Sequence, residues 1–461
     1  MKGSELKQMG YPEGNTLSKA LQMVGQACRA GWDIDEVRAV LDELVDEPTA
    51  YVDHPMFGEL ADALGERVLF EEREAPAPWK KWGTGLDPAA IEQLDNACRL
   101  PVSVSGALMP DAHRGYGLPI GGVLATEGAV IPYAVGVDIA CRMRMTVFDA
   151  PAETLANDKE HLSQIIENET RFGIGAYFED PHDHAVMDLD WSVSPVTKRL
   201  QEKARYQLGS SGSGNHFAEW GVLTIEEDDL GMSAGTYLAL LTHSGSRGAG
   251  ATVANHYSKL AREWHPELPR ELQHLAWLEL DSELGQEYWA AMELMGEYAA
   301  ANHAVMHREI VEALGAEVLA EVENHHNFAW KEEHDGKEVV VHRKGATPAG
   351  EGVLGIIPGS MAEPGFVVRG KGEVTSLESA AHGAGRVMSR TQAKRTLDWR
   401  EVYTQLDASG VTLLSADLDE APDVYKDIES VMSHQSDLID TVARFDPKIV
   451  KMAPPGEPPE D

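Results

Sequence analysis

The sequence predicts a mixed α/β protein in three parts: a small helical extension over residues 1–74, a single α/β domain over 75–452 and a disordered tail over 453–461. Three observations carry this reading. Apolar residues recur at the amphipathic-helix period up to residue 69. A charged, proline-rich stretch, Glu71–Pro78 (EEREAPAP), then punctuates the chain, and beyond it short β-rich runs are broken by Gly. Finally, six separated segments each set a His, Cys or Asp in a Gly- or Asn-rich stretch, and segments that share one site cannot be divided between independent domains.

In chain order, Leu17–Ala30 and Asp35–Leu44 carry the helical period, and Met56–Leu69 carries it more weakly. Glu71–Pro78 reads as the linker. Gly121–Val123 and Ala129–Val137 read as β-rich runs. Val339–His342, preceded by Asp335 and Gly336, reads as the return strand of a hairpin, because Asp-Gly favours the positive-φ turn that closes one. Gly285–Leu314 is a long amphipathic helix, with Trp289, Met292, Ala299, Met306 and Ile310 at three-to-four spacing. Pro454–Asp461 (PPGEPPED) has too little apolar content to order itself. No internal repeat is present.

Composition limits the function. At 461 residues and 43% hydrophobic content the chain can bury a large core. Its 39 Lys and Arg against 76 Asp and Glu leave a net charge of −37, which excludes a uniformly basic nucleic-acid surface. A polyanion would have to meet a local basic patch or metal ions. Lys198–Arg205 and Arg386–Arg395 are the local basic clusters. Cys28, Cys98 and Cys141 are too few for a disulfide framework and fit a reducing compartment. The N-terminus lacks a signal-peptide pattern, and no apolar run approaches the ~20 residues of a membrane span. A cytoplasmic protein with no membrane partner is expected.

The chemistry lies in the six segments Met109–Gly122, Ala134–Met143, Gly212–Trp220, Thr242–Gly248, Asn324–Trp330 and His382–Arg386. An isolated buried Cys is ordinarily a small hydrophobe. Asp138, three residues before Cys141, changes that reading, because a carboxylate in apolar surroundings needs a cation or donors. His216, His243 and the pair His325–His326 add imidazoles. A thiolate, a carboxylate and imidazoles suit zinc, manganese, iron or cobalt better than magnesium or calcium. Five ligands exceed one tetrahedral site, so two ions sharing the thiolate are expected, a device for phosphoryl transfer. His303 and His307 have the i, i+4 spacing of helical metal sites but lack the intervening Glu, and the expectation is a solvated helix face. His182 and His184 read as loop residues. His382, followed by small residues and Arg386, fits a nucleophile with a phosphate-holding cation; a loop that merely opens a helix would read the same way.

Taken in order, MPDAHRGYGLPIGG, GVDIAC, GSGNHF, HSGSRG, HHN, HRKGA, IPGSM and HGAGR resemble the RtcB-type RNA ligases, over roughly Trp79 to Lys451. The resemblance implies a single α/β catalytic domain of that family's own type. It implies two Mn²⁺ ions held by Asp138, Cys141, His216, His243 and His326, with Cys141 bridging, and His382 as the guanylylated histidine. It places Asn215, Glu219 and Ser360 near the GMP or its phosphate, and Lys451 at the guanine. Arg247 and Arg386 would bind phosphates, and Asp111 and His113 would handle the RNA terminus. GTP would be the co-substrate. RNA with 3′-phosphate or 2′,3′-cyclic phosphate and 5′-hydroxyl ends would be the partner, with an archease-like activator as a further candidate. Three departures stand out: residues 1–74 lie outside shorter members, AEPGF follows IPGSM where a second Ser is usual, and the chain continues past Lys451.

The resulting expectation is a GTP- and Mn²⁺-dependent ligase acting in tRNA splicing or RNA repair. Three rivals are a paralogue that activates or caps 3′-phosphates without sealing, a binding or assembly protein whose N-terminal helices do the work, and a plain two-metal phosphohydrolase. The intact ligand set argues against the second, and the third leaves His382 and the IPGSM segment unexplained.

Overall fold

The computed structural model describes residues 1–11, 15–52, 54–65 and 72–458. The N-terminal helices Gly3–Gln8, Asn15–Arg29, Ile34–Asp46 and Gly58–Gly65 close on a core of their own, in which Leu6, Leu41, Leu44, Phe57 and Leu60 are buried. Asp33 starts the third of these by a capping box: its side chain accepts from the Asp35 amide at 2.8 Å, and Glu36 reaches back to the Asp33 amide at 3.2 Å. Residues 66–69 of the expected helical segment Met56–Leu69, and Glu71 of the expected linker, lie outside the described residues.

Two sheets make the body. The smaller runs in the order Trp79–Lys81, Ser103–Tyr116, Leu118–Thr126, Lys337–Lys344, Asn327–His334. The larger runs Leu354–Ile357, Gly365–Gly370, Ile439–Met452, Phe217–Ile225, Gly235–Ser244, Arg142–Pro151, Val318–His325, with Thr412–Ser415 parallel to Ile439–Met452. The Asp335-Gly336 hairpin forms as its turn chemistry dictates, with φ of 53° and 73° at those residues. Ala129–Val137 does not continue as a β-run. Only Ala129–Val130 is strand, and Pro132, which presets helical φ at N1, opens the short helix Pro132–Val135.

One core lies between the sheets, where Met109, Val123 and Val341 of the smaller meet Ile357, Phe366 and Val368 of the larger. Each such side chain contributes about 1.5–3 kcal/mol on burial. The outer faces are covered by helices. Glu283–Leu314 serves both sheets: Tyr288, Met292, Met295 and Val305 pack with Leu108, Leu124 and Val340, while Met306 and Ile310 pack with Phe148, Leu238 and Leu240. Covered on most of its circumference, this helix has no solvated face at His303 and His307. Both are buried, which corrects the expectation for that pair. Thr242 Oγ1 lies 2.9 Å from His303 Nδ1 and 2.8 Å from His307 Nε2, and Thr146 Oγ1 lies 2.7 Å from His307 Nδ1, so the pair fastens the helix to two strands.

The tail also differs from expectation as far as it is described. Glu457 accepts from the Ile174 amide at 3.1 Å, Pro458 O accepts from Ser213 Oγ at 2.7 Å, and the Gly456 amide donates to Asp417 at 3.0 Å. Three hydrogen bonds hold a segment whose own side chains supply little burial.

Candidate metal centre and active-site cleft

The candidate ligands converge where the two sheets meet. Asp138 and Cys141 flank a turn at Ala140 (φ 58°) that leads into Arg142–Pro151. His216 immediately precedes Phe217–Ile225, and His243 sits near the end of its antiparallel neighbour, in register with Phe217. His326 is the one residue between Val318–His325 of the larger sheet and Asn327–His334 of the smaller, so the crossing of the chain from sheet to sheet delivers its ring. Its amide donates to the Cys141 carbonyl at 3.0 Å, and the Asn327 amide nitrogen Nδ2 donates to the Asp138 carbonyl at 3.3 Å.

Cys141 is the centre of the cluster. Its Sγ lies 3.4 Å from His216 Nε2 and 3.0 Å from His243 Nε2. His243 Nε2 is 3.2 Å from His326 Nε2, and His216 Nε2 is 3.1 Å from Asp138 Oδ2. Two groups of potential ligand atoms result, Asp138–Cys141–His216 and Cys141–His243–His326, with the thiol common to both.

The groups behind the ligands fix their protons. His216 Nδ1 lies 2.8 Å from the Ser211 carbonyl and His243 Nδ1 lies 3.0 Å from the Asn215 carbonyl. A carbonyl only accepts, so each Nδ1 carries the hydrogen and each Nε2 presents its lone pair to the cluster. Asp138 Oδ1 accepts from the Ser246 amide at 3.0 Å. Burial holds the His243 imidazole down to about 3 and that of His326 well below its usual value, so both rings are neutral at physiological pH. Burial alone would raise the Asp138 carboxyl, but its neighbours His216 and Arg247 prevail and keep it low. Imidazole lone pairs, a carboxylate and a thiol thus crowd a buried space, and such a donor set fits divalent cations of the manganese, iron, cobalt or zinc type.

His382 stands over this cluster, its ring centroid 5.0 Å from that of His326. Its Nδ1 lies 2.6 Å from Asp111 Oδ2, and its amide donates to the same oxygen at 3.1 Å. With its Nδ1 hydrogen donated to the carboxylate, the ring turns Nε2 outward as a nucleophile. The loop that allows this contains Gly385 at φ +76°, where an added Cβ would lie 2.0 Å from the Asp111 carbonyl.

One cleft contains His382, the five candidate ligands, Asn215, Glu219, Ser360, His113 and Arg386. Burial pushes the Glu219 carboxyl up to about 8 and the His113 imidazole down to about 4. Four placements depart from expectation. Asp111, expected at the RNA terminus, is fully buried behind His382. Arg247, expected at a phosphate, is 2% exposed, with its Nε on Ser210 Oγ at 3.3 Å and its Nη1 3.5 Å from His216 Nδ1. Arg386 reaches the cleft but is drawn to Glu420 at 3.4 Å and to the Asp419 carbonyl at 2.7 Å. Lys451 alternates with the cleft-lining Val450 and Met452, and so faces the other way, onto Glu167 at 2.9 Å. His325 turns away from the cluster toward Arg142, 3.2 Å from its Nη2.

The sequence matches a known family. The family model described as "tRNA-splicing ligase RtcB" matches residues 93–193 and 187–452. The chain belongs to the RtcB family. RNA-splicing ligase RtcB of Escherichia coli K12 is 35% identical over 400 residues, covering 79% of this chain and 95% of the relative. tRNA-splicing ligase RtcB of Nanoarchaeum equitans is 32% identical over 435 residues, covering 78% and 90%. RNA-splicing ligase RtcB of Mycobacterium bovis is 31% identical over 430 residues, covering 77% and 98%. The N-terminal helices lie outside the RtcB match. Among the described residues no helix is long and apolar enough to cross a membrane.

Sequence reasoning missed two supports of the RtcB site. Asn302 of Glu283–Leu314 accepts from the Gly209 amide at 2.7 Å and donates to the Ser210 carbonyl at 2.9 Å and to Ser244 Oγ at 3.2 Å. Ser244 Oγ in turn donates at 2.7 Å to the Ser211 carbonyl that orients His216. Asn327 is the second, its Oδ1 accepting from the Gly345 amide at 2.8 Å. A polar residue interrupting an apolar helix was the available signal for Asn302.

Proposed function

We propose that the protein is a GTP- and Mn²⁺-dependent RNA ligase that joins RNA 3′-phosphate or 2′,3′-cyclic phosphate ends to 5′-hydroxyl ends through a His382–GMP intermediate. The observation that carries the reading is His382, fixed by Asp111 through Nδ1, above two ligand groups that share Cys141. RtcB membership supplies the reaction class. Asp138, Cys141, His216, His243 and His326 would hold two Mn²⁺ ions, which supply positive charge against the phosphate oxygens.

His382 Nε2 attacks the α-phosphorus of GTP; an N–P bond forms, the bridging α–β P–O bond breaks and pyrophosphate leaves. The ring gains positive charge in that step, and the Asp111 carboxylate beside Nδ1–H offsets it. An RNA 3′-phosphate oxygen then takes GMP from His382. A 5′-hydroxyl attacks the activated 3′-phosphorus, loses its proton and displaces GMP. Activation is required because a 3′-phosphate lacks a leaving group until it carries GMP. Asn215, Glu219 and Ser360 are assigned to the nucleotide, Arg386 to a phosphate and His113 to the RNA end. A 2′,3′-cyclic end would first be opened to the 3′-phosphate by water.

Incubation with α-³²P-GTP and Mn²⁺ tests the reading, with His382→Ala and Cys141→Ala alongside. The expected result is an acid-labile protein–GMP adduct in the parent and none in either variant, with sealing of 3′-phosphate to 5′-hydroxyl RNA in the parent only. Parental sealing by His382→Ala would falsify the assignment. Capped 3′ ends that accumulate unjoined would favour the activating paralogue.

A further inference from the structure

Beside the cleft mouth lies a patch that the nucleotide chemistry leaves unused. The hairpin formed by Ser103–Tyr116 and Leu118–Thr126 turns at Gly117, and Tyr116 at its tip is 67% exposed. Tyr116 belongs to an aromatic group: its ring centroid is 6.4 Å from that of Tyr133 and 5.8 Å from that of His274, which are 4.7 Å from each other. Cations sit against this group. Lys344 Nζ lies 4.9 Å over the Tyr133 ring and donates to the Tyr116 carbonyl at 2.6 Å; it is buried, and burial pushes its ammonium down to about 7, so it braces the tip from beneath, while Arg114 is exposed two residues before Tyr116. Both the Arg262 and Lys344 charges depress the His274 imidazole, after burial, so positive charge is felt across the patch.

The tip is rigid. Gln93 brackets Gly115, accepting from its amide at 3.0 Å and donating to its carbonyl at 2.7 Å, and Asp87 accepts from the Arg114 amide at 3.2 Å. Gly117 has φ +68°, and an added Cβ there would lie 2.9 Å from the His274 carbonyl. An exposed ring on such a support loses little entropy when something stacks on it.

Position and charge choose the occupant. His113 and Ile120 on the two strands of this hairpin line the cleft, as does Gly345, next to Lys344. Three residues of extended chain put Tyr116 no more than about 10 Å from His113. On a chain of net charge −37, aromatic rings beside the exposed Arg114 and the half-buried Arg262 are the composition that binds bases by stacking and phosphates by charge. The other basic cluster near the cleft is already neutralised, since Arg390 pairs with Asp419 at 3.2 Å and Lys394 with Asp417 at 2.7 Å.

We infer that Tyr116, Tyr133 and His274, with Arg114 and Lys344, form a stacking platform for the single-stranded RNA that adjoins the reacting end. The inference rests on the proposed ligase function, and two independent readings separate them. The first is affinity for a short single-stranded RNA ending in 3′-phosphate, by fluorescence anisotropy, for the parent, Tyr116→Ala, Tyr116→Phe and Arg114→Gln. The second is the His382–GMP adduct formed with GTP and Mn²⁺ alone, which involves no RNA.

Loss of one stacked base is expected to weaken binding roughly tenfold in Tyr116→Ala, with Tyr116→Phe near parental because stacking needs the ring and not the hydroxyl. Arg114→Gln, an exposed change that leaves the fold intact, should weaken binding severalfold and flatten its salt dependence. Adduct formation should persist in all three. Parental RNA affinity in Tyr116→Ala and Arg114→Gln would overturn the platform while leaving the ligase reading in place. So would an equal loss on an RNA paired flush to its end, or loss of the adduct together with RNA binding. RNA binding that depends on Tyr116 in a protein that forms no adduct would uphold the platform and sink the ligase reading.

Discussion

In the part of the cleft that holds the candidate ligands, His216, His243, Asp138 and His382 are each gripped from behind: by the Ser211 carbonyl, the Asn215 carbonyl, the Ser246 amide and Asp111. Toward the strand Ile439–Met452 the construction differs. Glu219, in register with Val450, is 6% exposed, and among the described residues its carboxyl has no hydrogen-bond partner. One part has most of its ligands and its nucleophile oriented from within the chain, and leaves Asp138 Oδ2 and His326 Nδ1 without a hydrogen-bond partner among the described residues. The other buries a polar group whose partner must come from outside. The contrast separates residues that set chemistry from residues that await a ligand, and four substitutions probe it.

The largest effect is expected from Asp111→Asn. The amide keeps the shape but cannot offset the positive charge that His382 gains as the N–P bond forms. Adduct formation should slow by about 10⁴-fold, the order seen when a carboxylate behind a catalytic histidine is neutralised. Bound Mn²⁺, measured on the purified protein, should not change, because Asp111 touches none of the candidate ligands. An adduct rate within threefold of the parent would show that His382 is oriented by its loop alone.

Glu219→Gln should act in the opposite sense on stability. Burial raises the folded carboxyl to about 8, against about 4.3 in the unfolded chain. The unfolded state therefore releases its proton first, and the parent loses stability as pH climbs from about 4.3 to about 8. Gln has no proton to lose. The variant's advantage in thermal unfolding of nucleotide-free protein should grow across that window and level off above it, reaching on the order of 1–4 kcal/mol. GTP-dependent adduct yield should fall. A variant less stable than the parent at pH 8 would mean that a cation or donor already compensates Glu219.

Asn302→Ala tests how far the fixed part depends on its supports. The loop Gly209–Ser211 and Ser244 would lose a common anchor, and the His216 ring its steady carbonyl. Supports one step behind ligands commonly alter metal affinity by about 10–100-fold. Mn²⁺ titration should show weakening of that order, with adduct formation restored at high Mn²⁺. Failure of high Mn²⁺ to restore it would assign Asn302 to folding rather than to positioning.

These residues also show what the sequence disclosed and what it withheld. The ligands were legible because each lies on a short Gly-, Ser- or Asn-rich segment, where side chains are aimed by the local turn. Asp111 was recognisable as part of a motif, but its partner is 271 residues away and only the fold pairs them. The embedding of His303 and His307 was misread because helical spacing marks one apolar face, whereas Glu283–Leu314 is covered by both sheets. The tail was misread because its bonds use backbone groups and one carboxylate, which composition does not reveal. The facing of Lys451 was hidden by strand parity. Ile439–Met452 carries a register shift between Pro447 and Ile449, and one such shift exchanges the two faces of the strand beyond it.

That parity makes Lys451 the finest test of the contrast. The resemblance assigns it to guanine, on the ligand-awaiting side, but its Nζ meets Glu167 at 2.9 Å, and a half-exposed Glu makes a weak partner. Removing such a pair costs about 0–1 kcal/mol. Lys451→Ala should therefore shift thermal stability only slightly, and the concentration of GTP that half-saturates adduct formation should stay within twofold of the parental one. If that concentration rises tenfold or more while stability holds, Lys451 turns into the cleft when nucleotide arrives. The strand Ile439–Met452 would then be the element that rearranges, and Glu167 the partner that holds the lysine until it does.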